Sequence, residues 1–226
     1  MRGWLAGLVL ILTSQVWAAE PIVSDGDTLT VDGTKFRLDG IDAPEFNQIC
    51  LDEKGQEWKC GLAARDALVE RIANRTVRCD DKGIDKVHRD RRIGICSVED
   101  MDMTLNNWLV QEGWALNFEP YAKGRYLAAQ KDAEKNRRGM WKGCFVAPTN
   151  WRHWETNAPL MGSACRPDAA EHIFDCRIKG NRHSGLYHHP GCPSYDSIST
   201  KNVEKLFCSE DEARAEGYIK AANCPR

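Results

Sequence analysis

"PIVSDGDTLTVDGTKFRLDGID", residues 21–42, decides the fold. Apolar and polar residues alternate along it, and the alternation breaks at Asp32-Gly33, a dipeptide that suits the positive-φ positions of a tight hairpin turn. The stretch predicts three short antiparallel strands. Residues 61–75, "GLAARDALVERIANR", place Ala64, Leu68, Val69 and Ile72 on one helical face, and "TVRCD" (76–80) and "RIGICSV" (92–98) predict two further strands. A second helix is predicted over 104–112, with Leu105, Trp108 and Leu109 on one side and Gly113 as its stop. A third, "RYLAAQKDAEKNRR" (125–138), sets Tyr126, Ala129 and Ala133 against a charged opposite face.

Five strands with a helix inserted after the third predict an α+β fold: a five-stranded closed barrel of the OB type with three helices. Residues 146–169, with Pro148, Pro159 and Pro167, read as an irregular connector. Residues 170–226 read as a small Cys-rich unit, too short to rely on an apolar core alone. The first 18 residues, with a basic start and an apolar run from Trp4 to Leu12, read as a secretory signal peptide cleaved after Ala18. No later stretch is apolar enough to span a membrane, so the expected location is secreted or periplasmic. Ten cysteines, all beyond the signal, fit an oxidising compartment and predict disulfides. The net charge of −2 favours no class of partner.

The stretch from Ser24 to Glu45 holds six carboxylates and two cations. Carboxylates this dense repel one another unless they face water or surround positive charge, and a bound metal ion is the sharp reading. Asp27 and Asp42 are expected at the ends of neighbouring strands, where their short side chains converge on one hard cation and the Ala43 carbonyl adds an oxygen. Oxygen-only ligation suits Ca²⁺ or Mg²⁺ rather than zinc. Asp25 is expected behind them, acting through water. Glu45, with a longer arm, is placed to activate a water as general base, or to orient it. Arg37 alternates onto the face of the acids, and a guanidinium supplies the planar donor pair that phosphoryl oxygens need.

"DGDT", then "FRLDGIDAPE", "LVQEGWA" and "YLAAQKDAEKNRRGMW", in that order over residues 20–145, resemble the successive signatures of the staphylococcal nuclease family. The resemblance implies an OB-type barrel and calcium-dependent hydrolysis of DNA and RNA phosphodiesters, with one Ca²⁺ per active site. It implies that Asp27, Asp42 and the Ala43 carbonyl are the calcium ligands with Asp25 nearby, that Glu45 is the base, and that Arg37 is the first active-site arginine. The second arginine is preceded in the family by an Asp-x-Tyr-Gly-Arg pattern. Here the text is "DKVHRDRRIG", and counting back from the strand selects Arg91, with Arg89 and Arg92 as competitors. Tyr121 and Phe118 are candidates to stack a base, or to pack as core.

Cys50 and Cys60 bracket a polar loop, and Cys79 and Cys96 fall on antiparallel neighbours; both pairs are expected disulfides. Cys144–Cys165, Cys176–Cys208 and Cys192–Cys224 complete the expected set. The tail, residues 176–225, resembles the small module that follows secreted nucleases and, distantly, the zinc-binding segment of the Ada DNA-repair protein; a zinc site using His188 or His189 is the alternative to its disulfides. The chain is thus expected to be a monomeric exported nuclease acting on DNA, RNA or both. The rivals are a non-catalytic nucleic-acid-binding barrel and an envelope-binding protein that works through its C-terminal unit.

Overall fold

A computed structural model of the chain describes residues 20–46, 48–152, 158–188, 192, 194–195, 197–207 and 210–224. The expected signal peptide, His189 and Cys208 lie outside them. Strands β1 (Ile22–Asp25), β2 (Thr28–Val31) and β3 (Thr34–Leu38) form successive antiparallel hairpins. The second turns on Asp32 and Gly33, whose φ values of 48° and 77° are the left-handed conformations that Asp-Gly adopts readily. The short strands β4 (Ile41–Asp42), β5 (Cys50–Leu51) and β6 (Glu57–Trp58) lead into helix α1 (Cys60–Ile72). Ala64, Leu68 and Ile72 bury one face of α1, whereas Val69, expected on that face, is 40% exposed at its edge.

Strands β7 (Val77–Ile84) and β8 (Arg92–Val98) make the longest hairpin, and β8 runs parallel to β3. The sheet order is β1-β2-β3-β8-β7. The expected closed barrel is not formed by strand pairing among the described residues, because β1 and β7 stay as edges. After Leu38 the chain leaves the sheet at Gly40, whose φ is 73°. Its next strand, β4, pairs instead with β9 (Leu116–Asn117), while β5 pairs with β6.

Helix α2 (Leu105–Gln111) is capped by the Thr104 side chain and buries Leu105 and Leu109. The short α3 (Glu119–Ala122) and the longer α4 (Leu127–Lys135) follow β9. One apolar cluster packs Val23, Leu29, Phe36 and Leu38 of the sheet against Leu68 of α1 and Leu105 and Leu109 of α2.

The segment read as an irregular connector is partly regular. Strand β10 (Phe145–Val146) is followed by helix α5 (Pro148–Arg152), and β11 (Leu160–Met161) pairs back on β10. Trp151 of α5 is fully buried among Leu51, Cys144, Val146, Ala169 and Ile173. Helix α6 (Ala169–Asp175) leads into a four-stranded sheet of β12 (Ile178–Asn181), β13 (Leu186–His188), β14 (Val203–Phe207) and β15 (Ile219–Lys220), with α7 (Glu210–Ala215) packed on it. Leu206 of β14 reaches the cluster around Trp151, so the C-terminal unit docks on the same apolar seam. Disulfides join Cys50 to Cys60, Cys79 to Cys96, Cys144 to Cys165 and Cys192 to Cys224. The expected Cys176–Cys208 pair includes a residue outside the described ones. Among the described residues no helix is long and apolar enough to cross a membrane.

Candidate active site

Four acids from one short stretch converge because the backbone folds back on itself twice. The turn between β1 and β2 is Gly26-Asp27, and a Cβ at Gly26 would lie 2.8 Å from the Ala43 Cβ and 3.2 Å from the Ala64 Cβ. Glycine there lets the turn press against Ala43 and α1. The Leu38 amide donates to the Asp27 carbonyl at 2.8 Å, and Thr28 is the register partner of Arg37, which fixes the end of β3 beside Asp27. Asp27 therefore sits in the β1–β2 turn, while Asp42 ends β4, a strand outside that sheet. Their meeting comes from the Gly40 bend rather than from neighbouring strand ends.

Asp27 and Asp42 are 5% and 2% exposed. Arg37 Nη2 lies 3.0 Å from Asp27 Oδ2 and 3.5 Å from Asp42 Oδ1. Thr28 Oγ1 donates to Asp27 Oδ1 at 2.9 Å, and the Asp27 amide donates to Asp25 Oδ1 at 3.1 Å.

Glu45 is held from behind. The Gln48 amide donates to the Glu45 carbonyl at 2.7 Å, and the fully buried Gln48 side chain takes the Glu45 N–H and donates to the Val146 carbonyl at 2.8 Å. A Cβ at Gly61 would lie 1.7 Å from the Glu45 carbonyl oxygen, so the first turn of α1 closes directly on this backbone. The Cys50–Cys60 bridge fastens the same corner.

Helix α5 completes the cluster. Arg152 Nη2 donates to Asp42 Oδ1 at 2.7 Å and its Nε to Glu45 Oε1 at 2.5 Å, while the Thr149 amide donates to Asp42 Oδ2 at 2.9 Å. Sequence reasoning missed Arg152, Thr149 and Gln48. A five-residue helix beside prolines carries no readable periodicity, and a lone glutamine after Glu45 announces nothing.

Burial pushes the Asp25 carboxyl up to about 7, with the neighbouring Asp27 charge adding to it. Burial likewise raises Asp42 and Glu45 above the ordinary carboxylate range, against the opposing pull of Arg152. Asp27 and then Asp42 raise the Arg37 pKa. Burial works against the Arg152 charge, but Glu45 and Asp42 more than offset it. Four carboxylates face two guanidinium groups, an excess of two negative charges if all ionise. The backbone carbonyl of Ala43, beside Asp42, accepts no hydrogen bond from the described residues. An all-oxygen set with that excess and a spare carbonyl fits a hard divalent cation such as Ca²⁺.

Arg91 stands apart from this network. Its Nε donates to Asp85 Oδ2 at 2.8 Å in the β7–β8 loop, and among the described residues it pairs with none of Asp27, Asp42 or Glu45. Burial opposes the Asp85 charge, yet Arg91 and the Val87 and His88 amides hold its pKa below the usual value. Arg89 is in the same loop, and Arg92 opens β8 paired with Asp81. Phe118 and Tyr121 form a ring pair, centroids 5.5 Å apart and tilted by 30°. The Phe118 amide bonds to the Gly40 carbonyl, and Tyr121 is 60% exposed, so the pair borders β4 at the surface. In the C-terminal unit, ligand atoms of His188, Cys192 and Cys224 lie within 4.8 Å of one another, but the two cysteines are joined as a disulfide.

Residues 35–143 match the family described as staphylococcal nuclease homologue. A curated relative, the succinoglycan biosynthesis protein ExoI of Rhizobium meliloti (strain 1021), is 37% identical over 139 residues, a span of 59% of this chain and 71% of its own. The family match ends before Thr149 and Arg152.

Proposed function

The chain belongs to the staphylococcal nuclease family, and from that premise we propose that it is an exported, calcium-dependent nuclease. It hydrolyses phosphodiester bonds of DNA, RNA or both with low sequence specificity, as a monomer. The observation that carries the reading is the convergence of Asp25, Asp27, Asp42 and Glu45 with Arg37 in one largely buried cluster, Glu45 joined to Asp42 through Arg152. A non-catalytic binding barrel has no use for buried carboxylates that repel a polyanion. The name of ExoI carries no phosphodiester substrate, so the chemistry rests on the residues.

Asp27, Asp42 and the Ala43 carbonyl would hold the calcium ion, with Asp25 behind them. Bound there, calcium supplies the positive charge that allows phosphoryl oxygens to approach four carboxylates. Glu45 takes a proton from a water as the water oxygen bonds to phosphorus. One ester P–O bond breaks, and the departing alkoxide takes a proton from solvent, leaving one phosphomonoester and one hydroxyl. Arg37 donates to the oxygens on which charge accumulates, and Arg91, bonded to Asp85, would join it only if the β7–β8 loop carries it to the same phosphate. Phe118 and Tyr121 offer ring faces to a base of a single strand.

The exported protein is expected to digest single-stranded DNA in millimolar calcium and to stop in chelator. Digestion undiminished by chelation overturns the metal assignment. DNA binding without any cleavage in calcium establishes the binding-barrel reading instead.

A further inference from the structure

Arg152 lies nine residues past the end of the family match, yet it touches both the candidate metal ligand Asp42 and the candidate base Glu45. We propose that Arg152 is a phosphate-contacting residue of the active site, so that α5 supplies a guanidinium from outside the matched segment. The inference deepens the nuclease reading and rests on it.

Three features set Arg152 apart from a surface counterion. Its position is fixed, because the preceding Trp151 is buried in the seam between the catalytic and C-terminal units. The Thr149 amide on the same helix bonds Asp42, so α5 meets the cluster at more than one point. Its donors are only partly used: Nε and Nη2 serve the carboxylates, and Nη1 has no acceptor among the described residues, with the side chain 27% exposed. Arg37 shows the same pattern, with Nη2 committed to Asp27 and Asp42. The two guanidinium groups meet at one atom, Asp42 Oδ1. A phosphate in line with Glu45 would find both within reach of its equatorial oxygens, and planar donor pairs are what such oxygens recognise. Arg91, committed to Asp85 in its loop, makes neither contact.

The test uses the full exported chain in calcium, with Arg152→Ala and Arg152→Lys, and reads both turnover and binding. On single-stranded DNA, Arg152→Ala should lower kcat by at least about a hundredfold, and Arg152→Lys should recover only part of it, since ammonium restores charge without the planar pair. Binding is measured on a Glu45→Gln background, with and without Arg152→Ala, as oligonucleotide affinity against salt. A lost phosphate contact reduces the slope of log K on log salt by about 0.7 for a single strand. Thermal melting of each variant identifies any that fails to fold, and the lysine variant then carries the comparison. An unchanged slope and unchanged kcat in a folded Arg152→Ala protein show a mere counterion and overturn the proposal while the nuclease reading stands. A wild-type chain that binds calcium and cleaves nothing overturns the nuclease reading, and this one with it.

Discussion

Glu45→Gln and Arg37→Ala should each reduce kcat by about a hundredfold or more, because a group that stabilises the transition state typically contributes a few kcal/mol. Arg91→Ala is the informative contrast, measured in the same steady-state assay. A loss equal to that of Arg37→Ala shows that the β7–β8 loop brings Arg91 onto substrate, whereas a near-normal rate leaves it as the partner that shapes the loop through Asp85. Glycine at position 61 matters no less than the charged groups. The Gly61 Cβ space is filled by the Glu45 carbonyl oxygen, so Gly61→Ala must shift the backbone of Glu45, the proposed base. We expect it to lower kcat more than tenfold while calcium affinity, set by Asp27 and Asp42, changes little in calorimetry. Equal losses in both would show that the whole cluster had moved.

Elements differ in how openly the sequence declared them. The three hairpin strands, α1, α2 and the β7–β8 hairpin were legible because each carries a period of two or 3.6 residues, with markers such as the Asp32-Gly33 turn and the Gly113 stop between them. The acids were legible because Asp25, Asp27, Asp42 and Glu45 crowd one stretch. What stayed hidden depends on contacts made across the chain. Gln48 becomes a strut only when Val146 arrives 98 residues later, and Arg152 becomes part of the site only when Trp151 is buried by residues from several elements. The missing barrel closure has the same origin, since two-residue strands such as β4 leave too little pattern to show which neighbour they join. Helix α5 lies inside the loop closed by Cys144–Cys165, 21 residues apart in sequence. Changing both cysteines to serine releases that loop, at a cost of roughly 3 kcal/mol in the chain-entropy picture. The expected outcome is a lower melting temperature together with a fall in kcat toward the Arg152→Ala value, read by calorimetry and the DNA assay. A lower melting temperature with full kcat would show that packing alone holds α5.

The whole molecule is arranged around that seam. The C-terminal unit touches it through Leu206, and the Lys201 charge acts on His88 and Asp90 in the β7–β8 loop. Burial first, then the Arg91 and Lys201 charges, hold His88 below its ordinary pKa. With a net charge of −2, the proposed handling of a polyanion would rest on a local arrangement of cations rather than on overall charge. Thiols stay reduced in the cytosol, where a bridge such as Cys144–Cys165 does not persist. If the bridge, and not packing alone, holds α5, a newly made copy of an exported nuclease would carry a looser Arg152 while still inside the producing cell. On the proposed reading, crossing into an oxidising compartment would then raise activity, and reduced protein should show a lower kcat than oxidised protein in the same DNA assay.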